Sequence, residues 1–293
     1  MLDFSFFGFA FLVYSFLSLF LGWEMGDISK NNRMFASYYL KYLLIRNRMY
    51  VLFLKELNSF LSSLIGYITI IVFLVVMGLF LWILPMEFNV LSFGYAGLDG
   101  LFIIAPWVFL FIIPAITMKM FAEERKNGTI ELLLTKPLTD ISIISAKFLA
   151  GLCLVILTIL PTVVYVVAVY NLGSPKGNLD LGGIIGSYIG LIFLGGVFVA
   201  IGIFASSITN NQIIAFIIAV LFSAFTYIGF DAITSLGIFG SADLIIKSIG
   251  INHHYVSISR GVIDSRDVIY YLSAMAFFML LTKISLESRN WKK

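Results

Sequence analysis

Charged residues are scarce in this chain. They make up 12% of its 293 residues, whereas hydrophobic residues make up 60% and the mean hydropathy is +1.02. Because a soluble domain has about 25% charged residues, this shortage excludes a water-soluble globular protein and predicts an integral membrane protein. Cysteine is scarcer still. Cys153 is the only one and lies in an apolar run, so an internal disulfide framework is excluded.

Ionisable side chains are nearly absent from the long apolar stretches. A helix needs about 20 apolar residues to cross the hydrocarbon core of a membrane. Six stretches meet this requirement: 64–84, 101–120, 148–170, 183–208, 212–230 and 268–287. Carriers driven by an ion gradient commonly keep a carboxylate or histidine at mid-membrane, where the coupling ion binds. The sequence lacks such a relay, so energy for uphill transport would have to come from elsewhere.

The motifs of common enzyme sites are also missing. The chain has no HExxH pair for zinc, no GxSxG turn for a nucleophilic serine and no GxxxxGK[ST] loop for phosphates. His253 and His254 are adjacent, so their side chains would diverge by about 100° on a helix. We interpret both as polar surface residues rather than as a shared metal site. The sequence thus predicts a non-catalytic protein with no catalytic residues, cofactor or metal.

Lys and Arg are unevenly distributed among the connections. Fifteen of the nineteen lie in 23–63, 119–147 and the C-terminal tail, whereas 85–100, 171–182 and 231–267 share the other four. Because Lys and Arg stay on the cytoplasmic side, we predict an all-α bundle of six spans with both ends cytoplasmic.

The N-terminal residues, 1–48, have two open interpretations. The stretch 4–22 is apolar with an acidic start, so it is a poor signal peptide and could be an additional transmembrane helix. Alternatively, 1–48 is upstream sequence from a misassigned start, and the chain begins at Met49. The segment that follows predicts an amphipathic helix in the headgroup plane. Its polar stripe comprises Lys55, Glu56, Ser59, Ser62 and Ser63, opposite Leu57, Phe60, Leu61 and Leu64.

Small residues recur along the fourth span. Gly182, Gly186, Gly190, Gly196 and Ala200 form a small-xxx-small pattern, which lets helix backbones approach closely. The pattern fits either packing within one bundle or contact between two protomers. A second feature is the 231–267 connection, whose apolar runs are too short to span and are broken at Gly237, Gly240 and Gly250. It predicts short helices that enter the membrane partway from outside.

The most sharply bounded polar segment is "FAEERKNGTIELLLTKPLTD", residues 121–140. Gly128 suits the C′ position that ends a helix, and Thr129 can cap a new helix. Pro137 ends that short helix, and Thr139 or Asp140 caps the next one. The segment therefore predicts either an interfacial linker or a stiff docking element for a soluble partner.

Two segments carry a family resemblance. "FAEERKNGTIELLLTKPLTDISIISAKFLAG" and "HHYVSISRGVIDSRDVIYYLS" resemble the permease subunit of type-2 (ABC-2) ABC transporters. Within that family the chain is most similar to the gliding-motility permease of Bacteroidota, the GldF-like subunit. The resemblance covers 49–293, the implied ABC-2 type permease domain, and leaves out 1–48.

The resemblance implies partners and a location that spacing does not. It implies a second permease chain, identical or a related paralogue, a separate cytoplasmic ABC ATPase subunit that binds ATP, and an auxiliary membrane subunit, in the cytoplasmic (inner) membrane. It makes 122–137 the coupling helix and 206–211 its minor companion. The implied coupling residues are Glu123, Glu124, Arg125, Gly128, Thr129, Glu131, Leu134, Lys136 and Pro137.

Two other functional classes compete with the transporter. A non-transporting membrane anchor of a secretion or motility complex would have no ATPase that co-purifies with it. A polytopic membrane enzyme would need polar catalytic groups clustered inside the bundle, and the uncharged spans disfavour it.

Overall fold

The computed structural model describes residues 49–92, 94–130, 139–237 and 240–288, so the predicted N-terminal segment 1–48 lies outside it. Every regular element in these residues is helical. The all-α class is therefore confirmed.

The helices are numbered here in chain order. They are α1 (49–61), α2 (Leu64–Gly78), α3 (Asp99–Thr117), α4 (Lys119–Lys126), α5 (Asp140–Ile159), α6 (Val163–Leu172), α7 (Leu181–Ile208), α8 (Gln212–Ala224), α9 (Phe230–Ser235), α10 (Asp243–Ile249), α11 (Ile251–Ser259) and α12 (Ser265–Glu287). Short turns of π or 3-10 helix at Leu79–Ile83, Leu160–Thr162 and Phe225–Gly229 extend or join them.

Six helical stretches of the described chain are long and apolar enough to cross a membrane. Spans 1 to 6 are Leu64–Ile83, Asp99–Lys126, Asp140–Leu172, Leu181–Ile208, Gln212–Ser235 and Ser265–Glu287. Spans 2 to 6 each contain a predicted stretch, and span 1 ends one residue before the end of the predicted 64–84, so the six-helix bundle is confirmed. Several helices begin before their apolar run because a polar residue caps them. Thr139, for example, accepts a hydrogen bond from the Ser142 amide at 3.2 Å and sets the start of span 3.

Span 4, which is α7, lies at the centre of the bundle. It packs against α3, α5, α8, α11 and α12. Its small residues allow this crowding: a Cβ at Gly186 would lie 2.6 Å from the Ile258 carbonyl oxygen, and one at Gly196 would lie 2.6 Å from the Met275 methyl carbon. Gly190 faces the Tyr255 ring, and Ala200 is fully buried. These contacts are all within one chain, and a role of the same residues between protomers stays a prediction.

The two ends of the bundle differ in their connections. The basic end, as we call it, comprises α1, α4, residues 127–130, the start of span 3 and the end of α12. At the opposite end, the connection between spans 5 and 6 forms the short helices α10 and α11. The predicted breaks lie at helix ends. Gly237 and Gly240, with φ of +64° and +55°, lie between α9 and α10, and Gly250 separates α10 from α11.

The prediction that both histidines are polar surface residues is wrong for His254. Its Nδ1 lies 2.7 Å from a carboxylate oxygen of Asp267, and its Nε2 lies 2.8 Å from the Ser248 carbonyl oxygen. Its ring stacks on Tyr270 at 3.8 Å, and only 12% of its side chain is exposed. His254 therefore joins α10 and α11 to the first turn of α12, whereas His253 is exposed.

We expect Gly186→Ala to destabilise the protein, because the added methyl group would meet the backbone of α11, which cannot rotate away. Overpacking of this kind typically costs about 1–3 kcal/mol. The thermal midpoint of the purified protein in detergent should fall. Gly182→Ala is the matched control one turn earlier, where the nearest atom is a carboxylate oxygen of Asp180 at 3.4 Å. Equal midpoints for the two variants would contradict the close approach of α7 and α11.

Candidate coupling site

Span 2 is interrupted near the basic end. The helix α3 ends at Thr117 and α4 begins at Lys119, two residues later. At the break, the Ser206 hydroxyl of span 4 accepts hydrogen bonds from the Phe121 and Ala122 amides at 2.9 and 3.0 Å. The same hydroxyl donates to the Met118 carbonyl at 3.0 Å. A side chain from span 4 thus replaces helical hydrogen bonds of span 2, which is a recognised cause of helix kinks.

A buried charge cluster lies beside this break. Lys147, in the second turn of α5, is fully buried, and its ammonium group makes three hydrogen bonds. The acceptors are Glu56 Oε1 of α1 at 3.1 Å, Glu124 Oε1 of α4 at 3.0 Å and the Met120 carbonyl at 2.6 Å. Because a lysine ammonium has three donors, its hydrogen-bonding capacity is filled. Lys147 therefore connects α1, α4 and α5.

The charges of the cluster balance. Two carboxylates face Lys147, and the mostly exposed Lys55 lies 3.4 Å from Glu56 and 3.7 Å from Glu124. The aromatic face of Phe121 lies 5.0 Å from the Lys147 ammonium, within cation–π range. Burying a charge is tolerable only when it is paired and hydrogen-bonded, and here both conditions are met.

The predicted orientation of α1 is wrong in one respect. The polar stripe was expected to face the headgroups, but its Glu56 is 7% exposed and turned into the bundle. The buried line of α1 is Leu52, Glu56 and Phe60, spaced four residues apart. Residue type alone could not identify this line, because it mixes a carboxylate with two apolar side chains.

The predicted coupling residues fall into two groups. Glu123, Glu124 and Arg125 lie on α4, and Gly128 and Thr129 follow it. Glu131, Leu134, Lys136 and Pro137 lie outside the described residues.

Within the first group, the C′ assignment of Gly128 is confirmed, since Asn127 is the C-cap and Gly128 has a φ of +68°. Thr129 was predicted to cap the helix that follows, and this stays a prediction because the residues after Ile130 lie outside the described ones. Its hydroxyl donates backward to the Glu124 carbonyl at 3.3 Å. That backward bond keeps the turn close to α4. Asn127, Gly128 and Thr129 are exposed and form the outer surface of the turn.

A cavity of about 250 Å³ separates α1 from α4 at this end. Its walls carry mainly polar side chains, among them Lys55, Ser59, Lys119 and Glu123. One oxygen of Glu124 in the cavity wall is buried and accepts no hydrogen bond from the described residues. The surface is thus concave, charged and adjacent to the exposed turn at 127–129.

The predicted minor companion, 206–211, is only partly a free turn. Ser206 and Ser207 belong to the last turn of α7 and are fully buried. Ser207 also accepts, through its carbonyl, a hydrogen bond from Ser285 of α12 at 3.1 Å. Only 209–211 remain as the connection to α8, where Asn211 caps the next helix.

Comparison with known proteins agrees with this arrangement of spans. Residues 50–281 match the family model described as ABC-2 family transporter protein. The protein belongs to the ABC-2 transporter family. It is therefore a multi-pass membrane protein and the permease component of an ABC transporter. No curated protein matches this permease significantly.

We expect Lys147→Met to destabilise the permease strongly. The substitution keeps the length of the side chain but leaves Glu56 and Glu124 without their buried cation, and breaking a buried pair costs about 3–5 kcal/mol. The thermal midpoint in detergent reports the loss.

Lys283→Met is the control, because the Lys283–Glu287 pair on α12 is partly exposed at 3.4 Å and such pairs contribute about 0–1 kcal/mol. Adding Glu56→Gln and Glu124→Gln to Lys147→Met should restore part of the midpoint, since the stranded carboxylates are then removed. A midpoint unchanged by Lys147→Met would refute the energetic role of the cluster.

Proposed function

We propose that this permease forms, with a second permease chain, the translocation pathway of an ATP-driven transporter in the cytoplasmic membrane. The second chain is an identical copy or a related paralogue. A separate cytoplasmic ABC ATPase subunit binds the ATP and docks on the segment 122–137. The basic end and the C-terminus face the cytoplasm, and an auxiliary membrane subunit completes the complex. Gliding motility or export is the process that the resemblance of the sequence favours.

The observation that supports this proposal most directly is how α4 is attached. A force on the exposed turn at 127–129 acts on α4, which Lys147 joins to α1 and to span 3. The Ser206 hydroxyl joins the same helix to span 4, the centre of the bundle. A push from a cytoplasmic partner would therefore reach three elements at once. A mere interfacial linker would not require buried ionic and hydroxyl contacts to the bundle.

Charge supports the proposed orientation. Among the described residues of this end, Lys119, Arg125 and Lys126 lie close to the turn, and Lys55 lies beside the cavity. Positive residues favour the cytoplasmic side of a membrane, which is where an ATPase subunit operates.

The experiment that tests the proposal is purification of the complex in mild detergent, followed by mass spectrometry of the subunits. We expect an ABC ATPase to co-purify. A photo-crosslinking residue at Asn127 should attach to that ATPase, whereas one at Glu87, an exposed position at the opposite end, should not. Absence of an ATPase from the complex would favour a non-transporting anchor.

We also predict that Gly128→Val uncouples ATP hydrolysis from transport. Gly128 has a φ of +68°, and no atom of the described residues would lie within 4 Å of an added Cβ, so the substitution strains the backbone of the turn without a collision with them. A left-handed conformation costs a non-glycine residue roughly 1–2 kcal/mol, which displaces the turn or alters its shape. Substrate-stimulated ATPase activity of the reconstituted complex should fall severalfold.

Gly237→Val is the matched control at the opposite end, with a φ of +64° and no described atom within 4 Å of an added Cβ. It carries the same strain and should leave the stimulation unchanged. Equal effects of the two variants would show that strain, rather than the position of the turn, is responsible.

A further inference from the structure

A second cavity lies at the opposite end of the bundle, between spans 2 and 5 and the short helix α11. Its volume is about 440 Å³, within the usual range of small-molecule sites. The side chains that define its chemistry are two carboxylates, Asp99 and Asp231, and three aromatic rings, Trp107, Tyr227 and Tyr255. Neither Lys, Arg nor His lines it in the described part of the chain.

Asp231 is the most unusual residue of this cavity. It lies in α9, four residues before the end of span 5. One of its oxygens accepts a hydrogen bond from the Asn252 amide group at 2.7 Å. The other, Oδ1, is buried and has no hydrogen-bond partner among the described residues. An unsatisfied buried carboxylate oxygen is unfavourable, so this position calls for a donor or cation from outside the described residues.

Basic side chains do occur nearby, but they do not neutralise Asp231. Lys247 and Arg260 line an adjacent cavity that also contacts Asp231. Neither comes within the 4.0 Å of an ion pair with it in the part of the chain that the structure describes. Asp99 likewise has a neutral neighbour, because the Tyr95 hydroxyl donates to it at 3.2 Å.

The aromatic side chains supply the second element of a cation site. Trp107 and Tyr227 meet edge to face with ring centroids 6.2 Å apart, and half of the Trp107 side chain is exposed. Tyr255 donates its hydroxyl to the Phe102 carbonyl at 2.7 Å, which fixes its ring in the wall. Burial, with a smaller contribution from Tyr227, raises the pKa of Tyr255 well above its usual range, so the phenol stays neutral. Neutral aromatic faces attract cations, most strongly when the site is shielded from water.

We propose that this cavity binds a monovalent organic cation, an ammonium group attached to an apolar body. The ammonium group lies against the carboxylates of Asp231 and Asp99 and faces the ring of Trp107, and the apolar body packs on Trp107 and Tyr227. An anion would be repelled by the two carboxylates, and a neutral molecule could hydrogen-bond to Asp231 Oδ1 but would leave the negative charge uncompensated. The lining residues named here all come from one chain, so binding can be measured without an ATPase or transport.

The test is a binding titration of the purified full chain in dodecyl maltoside with 2-phenylethylammonium, followed by calorimetry. The neutral analogue 2-phenylethanol has nearly the same size and shape, and it should bind at least tenfold more weakly. Asp231→Asn keeps the size of the side chain and removes its charge, so it should lower the affinity for 2-phenylethylammonium at least tenfold. Trp107→Leu removes the aromatic face. It should lower the affinity for 2-phenylethylammonium about fivefold, because about 1 kcal/mol of cation–π attraction is lost.

Glu87→Gln is the control variant, because it removes an exposed carboxylate at the same end but outside this cavity. It should bind as the wild type does. Thermal midpoints of all variants establish that each is folded. If Asp231→Asn is unfolded, Asp99→Asn serves as the second variant that removes a charge. Equal affinity for the ammonium and the alcohol, or full affinity in a folded Asp231→Asn or Asp99→Asn variant, would overturn the proposal.

The ammonium group could come from a free amine or from a lipid headgroup, and a second measurement separates these sources. Native mass spectrometry of the chain in nanodiscs that contain phosphatidylethanolamine would detect a retained lipid. Lipid that 2-phenylethylammonium displaces, and that Asp231→Asn loses, identifies the headgroup as an occupant. The alternative result is that wild type and Asp231→Asn retain the lipid equally, while only the wild type binds 2-phenylethylammonium. This result would identify free amines as the occupants.

Discussion

The arrangement of the basic end depends on one ammonium group that is withdrawn from water. Lys147 is fully buried, and its three donors meet one acceptor on α1 and two on α4. A buried ion set of this kind adds less net stability than its geometry suggests, because desolvation offsets much of the attraction. Its stronger effect is on specificity, since any other placement of α1 or α4 would leave a charge unpaired. We therefore regard the cluster as the constraint that fixes how these two helices sit on the bundle.

The same reasoning explains why span 2 can be broken without becoming loose. Amides at the start of α4 would lack partners at the break, and Ser206 accepts from two of them. Close approach of spans 2 and 4 makes this possible, because Gly202 faces Thr117 directly and any side chain there would collide with it. The backbone of span 4 thus reaches the break, and its serine substitutes for the missing helical bonds. A kink supported in this way has a defined geometry, which a transmitted displacement requires.

The fold was largely predictable from the sequence, and the site was not. The six spans could be predicted from apolar runs of sufficient length, and the helix end at Gly128 from the glycine itself. Both features depend on local sequence. Lys147 and Glu56 were predicted as cytoplasmic and headgroup-facing charges, since a sequence shows how polar a residue is but not which distant residue it meets. Their pairing joins positions 91 residues apart. Ser206 gave no local signal at all, because a serine in the last turn of a helix is usually unremarkable.

The Glu56–Glu124 pair and Asp231 differ in whether a cation of the chain pairs with them, and the contrast has a physical meaning. At the basic end, Glu56 and Glu124 find their cation within the chain, so the described residues satisfy the charge and stiffen the structure. At the opposite end, Asp231 is held by Asn252 on one side only, and the nearby basic residues lie beyond ion-pair distance. The carboxylates that the chain pairs internally have a structural role. The carboxylate that it leaves unpaired beside aromatic rings has a binding role. Stability requires the first arrangement, whereas a ligand can use only the second.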